Sequence, residues 1–207
     1  YVGWQKDDAA KAKRMHHIRG LTYFLNLRSL RYVGAATLLD EFEKVTNERL
    51  SDAEKKNLGG PHAFCFQVCL VELSNWIREN MPDETVDVFF EDGTDLGSEL
   101  LCLYHGSSTM QALKNKFKIN QILPLTKDSS VGILPADLVA YETYKYNFNL
   151  IAKPERPLRR SYEAVLAGKV MLGKFFDDPK GINQFLDILE KNGILKGDYD
   201  KRLQPGV

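Results

Sequence analysis

The stretch Thr85-Val86-Asp87-Val88-Phe89-Phe90, closed by Glu91-Asp92-Gly93, decides how the rest of the chain reads. Its β-branched and aromatic residues suit a strand, and Glu-Asp-Gly is turn chemistry that ends one. Immediately upstream, Pro61 can open a helix at its first position. Cys65, Cys69, Leu73, Ile77 and Met81 then recur four apart with Trp76 beside them, a core-facing stripe over residues 61–80 that stops before Pro82. A long helix feeding a short buried-type strand is the unit from which layered α/β folds are built.

The same alternation extends outward in both directions. Asp7 and Asp8 open a helix over residues 7–27, and Leu30 to Leu38 reads as a strand. The polar segment 40–60 is expected to hold one short helix, closed by Gly59-Gly60. Downstream, a helix or helix pair is expected from Ser98 to Lys116, a strand from Ile119 to Leu125, and a loop from Lys127 to Gly132. Helices follow over 134–149 and 161–166, then a strand or an irregular edge over 169–176. A last amphipathic helix over 182–191 has Ile182, Phe185, Leu186 and Leu189 on one side, with Gly193 after its end. This pattern predicts one α/β domain over residues 1–195, with a loose tail at 196–207. The strands at 30–38, 85–91 and 119–125 should share one largely parallel sheet, flanked by the helices at 61–80 and 134–149. The expected core is Phe64, Cys69, Leu73, Trp76, Val88, Phe90, Leu138 and Tyr141.

Composition narrows the class. With 43% hydrophobic and 27% charged residues, the chain is an ordinary globular sequence. No apolar stretch approaches the roughly 18 residues that a membrane-spanning helix needs. Acidic and basic residues balance at 28 each, so total charge gives no argument for nucleic acid. Local basic segments occur at Lys11–Arg19, Lys114–Lys118 and Lys153–Arg160, most simply read as solvated faces. Three cysteines, Cys65, Cys69 and Cys102, make no disulfide framework. Cys65 and Cys69, four apart in an apolar helical pattern, read as buried thiols, and a reducing, cytoplasmic setting follows. The chain opens Tyr1-Val2-Gly3-Trp4, without Met or a signal pattern, and sequence upstream is expected.

Two acids stand out. Glu91 ends a buried-type strand, and Asp137 lies in the expected first turn of the apolar helix Leu134-Pro135-Ala136-Asp137-Leu138-Val139-Ala140-Tyr141-Glu142. In open α/β sheets, sites gather beyond the carboxyl ends of strands. Converging carboxylates there suit Mg²⁺ or Mn²⁺, ions that prefer oxygen ligands and that support phosphodiester hydrolysis. From spacing alone, the plainer readings weigh more: Asp137 complementing a helix N-terminus, Glu91 in a surface turn. Glu142 lies five residues after Asp137, about 140° around the helix, so direct co-ligation is disfavoured and Tyr141 shares the face of Asp137 instead. His16, His17, His62 and His105 form no metal-binding spacing, and there is no phosphate loop, dinucleotide fingerprint or nucleophile elbow. Tyr141, Tyr144, Tyr146 and Phe148 have the chemistry to stack on bases, but helix packing is the stronger expectation for them.

The string Leu134–Glu142 resembles the "LQxADLxAYE" helix of the domain-of-unknown-function family 3800. Val88-Phe89-Phe90-Glu91-Asp92-Gly93 resembles that family's strand ending in "FE-x-G", and Pro157–Tyr162 resembles its "RxS" segment. The resemblance spans roughly residues 1–166. It implies a ribonuclease H-like mixed sheet flanked by helices, and a metal-dependent nuclease with Glu91 and Asp137 as catalytic and metal-holding acids. The family's first acid, in an Asp-Glu-Ser-Gly strand, has no counterpart here. The fold is therefore expected to be incomplete at the N-terminus, with an exposed sheet edge that calls for the missing segment or another chain. The alternatives are a non-catalytic relative that binds nucleic acid or protein, and another α/β hydrolase or transferase.

Overall fold

In a computed structural model of the chain, which describes residues 8–28, 31–91, 117–126, 133–166 and 171–195, the elements alternate between helix and strand as α1 (Asp8–Arg28), β1 (Tyr32–Thr37), α2 (Leu39–Arg49), α3 (Asp52–Leu58), α4 (Pro61–Asn80), β2 (Val86–Glu91), β3 (Ile119–Leu125), α5 (Ile133–Ala152), α6 (Arg160–Leu166), β4 (Met171–Phe176) and α7 (Pro179–Lys191). The protein is mixed α/β. It divides into two compact units, one from Tyr1–Tyr32 and Ser130–Leu172, the other from Val33–Ser129 and Gly173–Val207. The segment 98–116, the loop 127–132 and the tail 196–207 lie outside the described residues.

The second unit is organised by α4. Pro61 occupies its first turn, as the sequence predicts, and Gly59 precedes it with φ +76°, a left-handed conformation that glycine adopts without strain. Phe64 is 0% exposed. Its ring meets Phe42 of α2 at 5.2 Å, Phe176 of β4 at 5.3 Å and Phe185 of α7 at 5.3 Å, the last edge-to-face at 85°. Around this cluster pack Val45, Leu58, Val68, Val71, Ile182, Leu186 and Leu189. The four residues that spacing places on one side of α7 are all buried. Its ends are sealed locally: the Asp178 carboxylate accepts from the Gly181 N–H at 2.8 Å, and Gly193 turns the chain with φ +74°.

Polar contacts fix the register of these helices. Arg49 donates to the Asn183 carbonyl at 2.9 Å and to its side chain at 3.1 Å, and pairs with Asp187, tying α2 to α7. Lys174 of β4 pairs with Glu72 of α4 at 2.7 Å. Gln67, buried inside α4, donates to the Leu58 carbonyl at 2.8 Å.

Three expectations need correction. The segment 40–60 holds two helices, not one. Leu50 turns to extended backbone, and Ser51 and Glu54 form a reciprocal capping box that starts a new helix. The strands at 85–91 and 119–125 share a parallel sheet as expected, but among the described residues the strand at 30–38 does not join it. Among the described residues β1 pairs with β4, while β2 pairs in parallel with β3, from Val86 opposite Ile119 to Glu91 opposite Leu125. Val33 and Val88 therefore lie in separate two-stranded sheets. Periodicity shows that a segment is a strand, but which backbone edge it meets depends on where the intervening helices carry the chain. Finally, the buried face of α4 is Ala63, Phe64, Gln67, Val68, Leu70, Val71, Ser74 and Ile77. Cys69, Leu73 and Trp76 are only half-buried, as are Val88 and Leu138, and Tyr141 is exposed. Most of the circumference of α4 is apolar, so several stripes satisfy helical spacing and packing selects among them.

Because Phe64 touches three other elements, Phe64→Ala is expected to cost about 3–5 kcal/mol in urea melts. Trp76→Ala should cost clearly less. Equal losses would show that the centre of the unit is not Phe64.

Candidate functional site

Glu91 is the last residue of β2, half-buried, at the carboxyl end of a parallel strand pair. Phe90 beside it is buried in the core and Phe89 points to solvent, so the pleat that seats Phe90 also sets the direction of Glu91. Asp137 is half-buried on α5. The helix starts at Ile133, which makes Asp137 its fifth residue, and no acid lies in the first turn. This corrects the expected first-turn position. Asp137 stands past the unsatisfied N–H groups of the helix end, where the attraction between an acid and the helix dipole is largest. Glu91 belongs to the second unit and Asp137 to the first. Among the described residues, no group of three or more His, Cys, Asp or Glu side chains is arranged to hold a metal ion. As hard oxygen donors, Glu91 and Asp137 each match the ligand chemistry of Mg²⁺ or Mn²⁺.

Among the described residues, the cysteines and histidines add no metal site. Cys65 and Cys69 are free thiols on α4, and burial pushes them up from 9.0, to about 11 for Cys65 and about 12 for Cys69. Cys65 and Glu72 raise the Cys69 value further. Metal ligation needs the thiolate, which this environment disfavours, although both thiols are half-buried rather than fully buried as expected. His16 and His17 are exposed on α1 and His62 is exposed on α4. Cys102 and His105 lie outside the described residues.

The first unit holds a carboxylate that sequence spacing set aside. Glu142 is 1% exposed inside α5. Its Oε1 lies 3.4 Å from Nη2 of Arg159, and its Oε2 is buried without a hydrogen-bond partner. The Arg159 guanidinium also sits 5.3 Å from the Tyr141 ring centroid. Beyond it, Tyr146 and Tyr162 stack at 4.7 Å with 8° between their planes, and burial, then the neighbouring Tyr146, raise the pKa of Tyr162. Tyr146, Arg156, Arg159 and Tyr162 line a small cleft between the end of α5 and the connection to α6. Val165 packs with Tyr32, Leu138 and Val139 in the same unit. Glu142 therefore anchors the 153–159 connection through Arg159.

The other face of α5 is turned to water. Leu134, Tyr141, Tyr144, Phe148 and Ile151 are all exposed, from 42% for Tyr141 to 56% for Tyr144. The expectation that these aromatics pack inside is wrong for Tyr141, Tyr144 and Phe148. Only Tyr146 turns inward, because it lies about 200° around the helix from Tyr144. Lys145 lies among the exposed rings, 5.1 Å from the Tyr144 centroid, 5.7 Å from Tyr141 and 5.8 Å from Phe148.

No family model, curated protein or solved structure matches this chain. The resemblance to family 3800 thus rests on the motifs alone. Among the described residues, no helix is long and apolar enough to cross a membrane.

Removing Arg159 strands a buried carboxylate, so Arg159→Met should cost about 2–4 kcal/mol. The double variant with Glu142→Leu should recover most of that loss, because apolar replacement of a whole buried pair is near neutral. Absence of recovery would show that Glu142 is stabilised by something other than Arg159. The thiols bind protons more tightly in the folded than in the unfolded chain. Their contribution is thus intact below about pH 9 and is lost as pH rises through the folded values of about 11 and 12. Urea midpoints above pH 9 should fall more steeply in the native chain than in Cys65→Ala/Cys69→Ala. Parallel falls would refute this.

Proposed function

We propose that the chain is a metal-dependent nuclease of ribonuclease H-like type, with Glu91 and Asp137 as the acids that hold Mg²⁺ or Mn²⁺. The observation that carries the reading is Glu91 at the carboxyl end of β2, in a parallel pair with β3, where open α/β sheets commonly place their chemistry. Asp137 supports it, since an acid one turn inside a helix gains little from the helix end. The family motifs name the same two residues. A divalent ion held by such acids would activate water and stabilise the departing oxygen of a phosphodiester. Glu91 is presented by the end of a strand and Asp137 by a helix, so each carboxylate is positioned by regular backbone rather than by a loop. A cytoplasmic setting accords with the free thiols of α4.

A second reading, a non-catalytic relative that binds nucleic acid or protein, is favoured by one specific observation: the exposed aromatic face of α5.

Labelled single- and double-stranded DNA and RNA, incubated with the protein and Mn²⁺ or Mg²⁺, test the first reading. Cleavage is expected to need the metal. Glu91→Ala and Asp137→Ala should each lower it at least about 100-fold, since loss of a ligand's supporting partner alone costs about 10–100-fold. Cleavage undiminished in both variants would remove the assigned roles. Binding without any cleavage would favour the second reading.

A further inference from the structure

We propose that the exposed face of α5 binds single-stranded nucleic acid, with Tyr141, Tyr144 and Phe148 stacking on bases and the cations around them meeting phosphates. The face is continuous from Tyr141 to Ile151, and Asp137, half-buried, lies between Leu134 and Tyr141 on the same side. Leu134, Tyr141, Tyr144, Phe148 and Ile151 are separated by seven, three, four and three residues, which aligns them along one side of a helix. All five are exposed. A contiguous apolar stripe left in water marks an interaction surface, whereas scattered exposed residues do not.

The chemistry of the stripe selects the partner. Its centre is aromatic, and an aromatic ring offers a base a stacking face whatever the base is. Lys145 lies within 5.8 Å of all three ring centroids, and Arg159 lies beside Tyr141. The cations continue past the helix end as Lys153, Arg156 and Arg160, all exposed. Residues 141–160 carry five Lys and Arg against two Glu, a net +3, in a chain whose total is zero. One of those two acids, Glu142, is buried against Arg159, which leaves Glu155 as the exposed acid of the segment. A second copy of the chain would set this positive segment against itself. A polyanion with accessible base faces complements both features, and a duplex, whose bases are already stacked, does not.

For substrate preference this inference rests on the nuclease reading, but the binding does not, because it needs no metal. The experiment therefore runs in EDTA. Anisotropy of labelled oligo-dT, oligo-rU and a DNA duplex is measured with the native chain, with Tyr144→Ala/Phe148→Ala, and with Tyr144→Leu/Phe148→Leu, which keeps apolar bulk and helix propensity but removes the rings. Tyr23→Ala, at another exposed aromatic of the same unit, is the control. The single strands should bind more tightly than the duplex, and added salt should weaken them. Both double variants should weaken binding at least about tenfold, with circular dichroism and the control unchanged. Equal binding of duplex and single strand, or full affinity in the leucine variant, would overturn the proposal. So would a dimer in sedimentation that the double variants dissolve without altering oligonucleotide binding, which would give the face to a second copy. Loss of cleavage in Glu91→Ala with binding intact would support both readings separately.

Discussion

Phe64 is the constraint on which the second unit depends. One side chain, wholly removed from water, is held by rings from α2, β4 and α7. Aromatic pairs at these separations add to the apolar burial of each ring. They also couple elements far apart in the sequence, since Phe42 and Phe64 precede the segment that returns as Phe176 and Phe185. The capping box at Ser51 and the Arg49 contacts to α7 then fix the angles at which these helices arrive. A strand pair as short as β1 with β4 is marginal by itself. Here Phe176 at its end is buried in the same cluster, and the helix packing supplies what the ladder lacks.

The first unit works from a different balance. It buries a carboxylate, which is unfavourable unless the charge is paired. Arg159 supplies the pair and, in doing so, pins the connection that carries Arg156 and leads into Arg160 at the start of α6. The inward face of α5 thereby organises the cations, and its outward face carries the aromatic rings. The helix needs both for the nucleic-acid reading: rings alone would be a generic apolar stripe, and cations alone a solvated face. Glu91 belongs to the other logic, in which the seating of Phe90 in the core directs an acid at the end of a strand.

Much of this was legible in the residues. Pro61 and Pro82 bracket α4, Gly193 follows α7, and the burial of Ile182, Phe185, Leu186 and Leu189 follows from their spacing, because these signals act within a few residues along the chain. Less legible was Ser51, whose capping box with Glu54 was present in the sequence but is specific only when backbone geometry accompanies it. Helix geometry separates Glu142 from Asp137, and the same angle turns Glu142 inward to Arg159, a partner seventeen residues away that no local pattern picks out.

By itself, then, the sequence determined most element types of the described segments, the mixed α/β class and the identity of the two acids as candidates, since propensity, capping and periodicity are local properties of the backbone. Only the tertiary structure decided that β1 joins β4 and β2 joins β3, which stripe of α4 is buried, and that Tyr141, Tyr144 and Phe148 face water. Those outcomes depend on which surfaces meet. A helix that is apolar around most of its circumference, as α4 and α5 both are, cannot specify from spacing which side loses its water; the neighbours that arrive from distant parts of the chain do.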